Sequence, residues 1–264
     1  MARVVVVPSF GLRPLPLQDY SVRRCDMAES RSGKVLRLLD VVYLEGSVLS
    51  HAWCESAGFA AHFGALEWRS VHRDHFNLRD LHESRYDLVL AKPELMEGGG
   101  VVAGAGVPYR MIAQYQAYGS QLVALSGKPE LTREWLAGRR LGLLDDPNSV
   151  SAYQVPVSAL RERGLMDAAD IVYFRSYREM YRALFAGRVD AIASILSDEG
   201  PESELQLPDG LVLAQNLPGP AWFAPDSLIE GAAYCTVLEG ILRFGEQTAV
   251  NFFRNIQVKE PCGE

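Results

Sequence analysis

At 264 residues the chain has room for one large domain or two lobes, given roughly 100–200 residues per domain. Its 48% hydrophobic and 22% charged residues are ordinary globular proportions, which exclude a disordered tail, a collagen-like chain and a disulfide-dense miniprotein. A net charge of −7 argues against nucleic acid and anionic membrane surfaces as partners.

The chain opens on Met1-Ala-Arg-Val-Val-Val-Val-Pro8, four valines stopped by a proline, which reads as a strand and not as a secretory leader. Either the protein is cytoplasmic from Met1, or it is periplasmic and a leader has been removed; both stay open. No run approaches the roughly 20 apolar residues that span a bilayer. The Pro- and Arg-rich stretch from about 11 to 46 has no assigned purpose. Beyond it, 47–63 reads as a helix, 66–71 as a strand, 76–84 as a helix and 87–91 as a strand.

GGGVVAGAGV (98–107) reads as a loop, and MIAQYQAYGSQLVALS (111–126) as an extended segment crossing between lobes. Next come a strand at 140–145, a helix over about 150–163 closed by Gly164, and a strand at 171–174. A helix over 176–186, with Gly187 at its C-terminus, leads to a strand at 189–195. LVLAQNLPGPAWFA (211–224) reads as the return crossing, and about 225–255 as helical.

Two stretches repeat. LRDLHESRYDLVLA (78–91) aligns without gaps on YRALFAGRVDAIAS (181–194), matching Arg79 with Arg182, Leu81 with Leu184, Arg85 with Arg188 and Asp87 with Asp190. RVVVVPS (3–9) and RLGLLDDPNS (140–149) are each an apolar strand followed by Pro and Ser. Pro8 and Pro147 lie 139 apart but Asp87 and Asp190 only 103, so this alignment makes 36 residues of the 11–46 stretch an insertion in the first half. Strands alternating with helices imply an α/β fold of two mostly parallel sheets, helices on both faces. Ligands of such sheets bind beyond the carboxyl ends of the strands. Two halves facing each other make a cleft, with lobe 1 expected over 1–124 plus 219–264 and lobe 2 over 125–218.

The run WLAGRRLGLLDDPNSVSAYQVPVSALRERGL (135–165), followed by FRSYREMYRALFAGRVDAIAS (174–194), resembles the type II periplasmic-binding-protein fold, and within it the phosphonate/phosphate-binding branch. YDLVLAKPEL (86–95) resembles the same branch more loosely. The resemblance implies a two-lobed protein hinged by two crossing strands. Such proteins close on a small ligand, here a phosphonate, phosphate ester or related oxyanion, and hand it to the membrane subunits of an ABC importer. It implies no catalytic residue and no cofactor. The alternatives are a cytoplasmic enzyme of the same fold, such as a lyase or transferase, and a sensory input domain of a signalling protein. Where the branch usually has Ser-Thr-Ser-Gly, this chain has Ser149-Val150-Ser151-Ala152; where it often has His and an acid, Tyr177 and Arg178 stand. Arg in place of an acid favours further negative charge on the ligand. A monomer is expected.

The candidate ligand residues follow from anion chemistry. Ser149, Val150, Ser151 and Tyr153 open a helix, where unpaired backbone N–H groups and the dipole attract anions; simple N-capping is the structural alternative for the serines. Arg178 can grip an oxyanion bidentately, and Tyr177 can donate its hydroxyl. Lys92 ends a strand in a chain with four lysines. Ser9 and Phe10 follow the first strand, and Tyr118 and Gln121 sit on the crossing segment. Asp190 begins a strand in both repeats, which also suits a structural cap. Trp222 either closes over ligand or packs in the core.

All five histidines (His51, His62, His72, His75, His82) fall within 51–82 beside Cys54, yet without metal-ligand spacing, so surface or core roles are expected for them. Cys25, Cys54, Cys235 and Cys262 form no CxxC; their even number permits two disulfides without requiring them.

Overall fold

The structure is a computed structural model that describes residues 20–27, 30–42, 46–71, 77–102, 106, 108–196, 210–247 and 255–263. Among these, one sheet contains β1 (Tyr20–Asp26), β2 (Val35–Asp40), β3 (Ala65–Val71), β4 (Leu88–Ala91), β5 (Arg110–Tyr115), β11 (Ala221–Ala224) and β12 (Ile256–Val258). The other contains β6 (Tyr118–Val123), β7 (Arg140–Leu144), β8 (Asp170–Phe174), β9 (Ala191–Leu196) and β10 (Leu211–Leu217). The helices are α1 (Gly46–Cys54), α2 (Ala57–His62), α3 (Leu78–His82), α4 (Pro93–Gly98), α5 (Arg133–Leu136), α6 (Val155–Glu162), α7 (Tyr177–Phe185), α8 (Asp226–Ile229) and α9 (Tyr234–Gln247).

Both sheets share one plan. In the first, β3, β2 and β4 lie side by side and parallel, then β11 runs antiparallel to β4. In the second, β8, β7 and β9 are parallel and β6 runs antiparallel to β9. Each antiparallel strand is contributed by the other half of the chain. The crossing segment at 111–126 is therefore two strands: the chain leaves the first sheet at Tyr115 and enters the second at Tyr118. The return leaves β10 at Leu217 and enters β11 at Ala221, through Pro218, Gly219 and Pro220. Gly219 is needed there, because a Cβ would lie 2.3 Å from the carbonyl oxygens of both Tyr115 and Gln116.

The second half follows its sequence closely, with helix ends at Gly164 and Gly187, both at positive φ (63° and 64°), where glycine carries no steric penalty. The first half differs more: it contains β1 and α4, which the sequence did not announce, and it departs from expectation in two further places. The helix expected over 47–63 is broken at Ser56, whose hydroxyl accepts the Phe59 N–H and starts α2. The repeat alignment is also corrected. The strand equivalent to β7 is β2, not residues 3–9, which lie outside the described residues. Arg37 N–H donates to Asp87 Oδ2 at 2.7 Å, and Arg140 N–H to Asp190 Oδ2 at 2.7 Å, each across 50 positions. The offset between halves is thus 103 at both ends, and residues 35–40 belong to the repeat instead of an insertion. The last stretch, expected helical to about 255, contains α8 and α9 and then ends as β12, paired with β5.

Apolar side chains bury both faces of the first sheet. Leu36, Leu38, Trp68, Leu88 and Leu90 pack under α1, α2 and α9, together with Trp222 and Val237. Leu39, Val89, Met96, Tyr109 and Phe223 fill the other face. Leu141, Leu143, Leu160, Met180, Leu184 and Ile192 form the core of the second sheet. Each fully buried side chain of this size contributes about 1.5–3 kcal/mol. Trp222 is fully buried and donates its indole N–H to Tyr115 Oη at 3.0 Å, so it packs in the core. All four cysteines are paired: Cys25–Cys54 ties β1 to α1, and Cys235–Cys262 ties α9 to the segment after β12.

Candidate functional site

The carboxyl ends of β2, β4 and β7 open into one groove of about 380 Å³, lined by Val41, Val42, Lys92, Glu94, Leu95, Asn148, Val150 and Gln154. Its walls come from both sheets. Val41 and Val42 follow β2; Lys92, Glu94 and Leu95 follow β4; Asn148, Val150 and Gln154 follow β7.

On the first side, Lys92 precedes Pro93, which opens α4. Proline suits the first helical position because its missing N–H would be unpaired there anyway. This fixes Lys92 in extended geometry at the strand end (φ −74°, ψ 139°). Its Nζ lies 5.9 Å from the centroid of the Tyr118 ring.

On the second side, the loop after β7 is folded by its own polar groups. Asp146 Oδ1 accepts the Asn148 N–H at 3.0 Å, and Asp146 O accepts the Ser149 N–H at 2.8 Å. Gln154 Nε2 donates to Pro147 O at 2.8 Å. The helix then starts with a wide π turn over Val150–Gln154 and continues as α6. Gln154 N–H reaches back to Ser149 O (2.9 Å), and Val155 N–H to Val150 O. Ser149 is buried and its side chain caps no helix N–H. Ser151 is buried too; its hydroxyl is 2.9 Å from the Tyr177 hydroxyl, and its carbonyl accepts from Ser120 Oγ at 2.6 Å.

The remaining candidates divide. Val150 lines the groove. Tyr118 is buried beneath Lys92. Gln121 is buried and donates its amide to Ile195 O (3.3 Å), a bond within the sheet. Tyr153 turns towards Tyr173, ring centroids 6.3 Å apart, on edge strand β8. Arg178 is exposed at the start of α7 and is not part of the groove wall. Asp190 precedes β9 and so lies at the amino edge of the strands, opposite the groove. Its carboxyl is held below its ordinary range, first by the Arg140 N–H and then by the Arg140 guanidinium. Its counterpart Asp87 is pushed up, because burial outweighs the Arg37 N–H. Ser9 and Phe10 lie outside the described residues.

Sequence reasoning missed Val41, Val42, Glu94, Leu95, Asn148 and Gln154. Asn148 stands inside the quoted loop, and Gln154 lies one turn after Val150, so both had a signal; Val41 and Val42 had none while β2 was unread. Of the histidine cluster, His51 Nε2 meets Glu55 Oε1 at 3.3 Å, Cys54 is in a disulfide, and His72 and His75 lie outside the described residues. Among the described residues no group of three or more His, Cys, Asp or Glu is arranged to hold a metal.

No protein-family model and no curated protein sequence matches the chain. Solved structures match its fold. The methylphosphonate-bound PhnD1 from Prochlorococcus marinus aligns with a TM-score of 0.56 at 14% identity, over 86% of this chain and 93% of that one. A binding-protein component of an ABC phosphonate transporter from Pseudomonas aeruginosa aligns with a TM-score of 0.54 at 14% identity, over 86% and 82%. The fold is that of the type II periplasmic binding proteins. A third protein of similar fold, XAC2383 from Xanthomonas citri bound to ATP, aligns with a TM-score of 0.54 at 13% identity, over 87% and 92%. In a type II periplasmic-binding-protein fold the groove described above is the cleft between lobes, where strand ends from both sheets meet.

Proposed function

We propose that the protein is a solute receptor that closes its lobes on a small oxyanion and delivers it to the membrane subunits of an ABC importer. A phosphonate, a phosphate ester or a related oxyanion is the ligand class. One observation carries this reading: a single groove joins Lys92, on one sheet, to the start of the helix at Val150, on the other. A cation and a helix N-terminus attract the same negative head from opposite walls, so the ligand itself draws the lobes together. Ser149, buried and not spent on capping, and Ser151, oriented by Tyr177, supply hydroxyls beside the backbone N–H groups. The lobes meet at the crossings 116–117 and 218–220, which serve as the hinge.

Two further observations support a receptor. The protein of similar fold from Prochlorococcus marinus is in complex with methylphosphonate. The pairing of all four cysteines suits an oxidising compartment, which favours the receptor over a cytoplasmic enzyme.

The test is a thermal-shift and calorimetric screen of phosphonates, inorganic phosphate, phosphate esters, sulfonates and carboxylates. Ligand at 100 times its Kd stabilises by about 2.7 kcal/mol, enough to raise the melting temperature by several degrees. At least one phosphorus oxyanion should do so. Folded protein that responds to none of the panel would contradict the proposal.

A further inference from the structure

The π turn at the mouth of the groove has a cause outside its own helix. In an α-helix the Ser151 carbonyl would accept the N–H of Val155. Here that N–H goes to Val150 O, and the Gln154 N–H goes to Ser149 O. In this wider register the partner of Ser151 O would be residue 156, which is Pro156 and has no N–H. The bond is made instead by Ser120 Oγ, at 2.6 Å, from a fully buried position on β6. A buried carbonyl without a partner is costly, so Ser120 supplies the donor that Pro156 lacks in this register and thereby holds the turn open.

Ser120 also sits where the two lobes communicate. β6 is the strand that the first crossing enters, and alternate residues of a strand share a face. Tyr118, two residues before Ser120, carries Lys92 of the opposite wall over its ring. One face of one strand thus touches both walls of the groove.

We infer that Ser120 is a positioning residue for oxyanion binding: by taking the Ser151 carbonyl it fixes the wide first turn, and so the aim of the N–H groups of residues 150–152 and of the Ser151 hydroxyl. The geometric part stands on its own; its effect on affinity rests on the ligand class proposed above. Removing the hydroxyl frees Ser151 O to take the Val155 N–H, which tightens the turn and rotates the donors away from the groove.

Two measurements test this on the full chain. Crystal structures of Ser120→Ala and Ser120→Thr read the turn directly. The alanine variant is expected to show Val155 N–H bonded to Ser151 O, and the threonine variant to keep the π turn. Calorimetry with the tightest oxyanion of the panel should give an affinity about tenfold lower for Ser120→Ala, equivalent to about 1.4 kcal/mol, with Ser120→Thr close to the unsubstituted protein. A purely structural role would lower the melting temperature and leave affinity alone. A π turn retained in Ser120→Ala overturns the inference, and so does undiminished affinity in that variant. If the unsubstituted protein binds no oxyanion, the ligand class fails, and the turn geometry alone decides the role of Ser120.

Discussion

The carboxylate of Asp190 accepts the backbone N–H of Arg140 at 2.7 Å, and Asp190 N–H returns a bond to Arg140 O at 2.8 Å. Asp87 and Arg37 repeat the pair, with the same two bonds at 2.7 and 2.8 Å. Each latch joins the starts of two neighbouring parallel strands, β7 to β9 and β2 to β4. The duplicated aspartate is thus a feature of the scaffold at the edge remote from the groove.

Asp190→Asn should therefore cost stability and spare ligand affinity. Hydrogen bonds to a charged acceptor contribute about 1.5–3 kcal/mol when shielded, and this carboxylate is partly exposed, so about 1 kcal/mol is expected at pH 7. The folded carboxyl is lowered, so its stabilisation is present above about pH 4 and lost as pH falls through the folded value. Urea titrations at several pH values should show the gap between variant and parent shrinking in acid. Asp87, raised by burial, contributes with the opposite sign: its cost sets in as pH rises past the unfolded value of about 4 and is complete above its folded value.

Reduction of the disulfides should destabilise the fold strongly. They close separations of 29 and 27 residues, for which chain entropy gives about 3–4 kcal/mol each. Cys235→Ser with Cys262→Ser should lower the melting temperature and loosen β12, measured by thermal melting and by hydrogen exchange of the Lys259 N–H, which donates to Ile112 O at 2.8 Å. Equal melting temperatures with and without reductant would contradict the pairing.

Gly240→Ala should disturb the first core. A Cβ there would lie 2.7 Å from Trp53 Nε1 and 2.8 Å from Phe59 Cζ, two rings stacked with centroids 4.7 Å apart. Overpacking of this kind costs about 1–3 kcal/mol, readable as a lower urea midpoint with an unchanged slope.

Lys92→Gln should weaken oxyanion binding about tenfold and reduce its salt dependence, because it removes a full charge from one wall. Ser149→Ala with Ser151→Ala should weaken binding without changing that salt dependence, because it removes neutral donors. Calorimetry at two ionic strengths separates the two effects.

The second sheet was readable because its signals are local. Apolar runs end at DDPNS, and Gly164 and Gly187 close the helices. The first sheet hides its centre. In β2, VLRLLD, Arg37 interrupts the apolar run, whereas RVVVVPS offered a cleaner match to the strand before Ser149. The antiparallel partner of β3, YSVRRCD, carries two arginines because it is an edge strand with solvent on one side. The pairing of the cysteines depends on long-range packing and has no spacing signal. At the groove, Lys92 and Val150 could be read from strand ends and a helix start. Tyr153 could not be separated from its neighbours, because which way it faces depends on the width of the first helical turn. That width depends on Ser120, which holds the Ser151 carbonyl from 31 residues before it in the chain.

The most direct test is a crystal structure with the tightest oxyanion of the panel. The account predicts its head between Lys92 Nζ and the backbone N–H groups of residues 150–152, with the lobes drawn together over it. An oxyanion held elsewhere, or on one wall with Lys92 and Val150 still apart, would contradict it.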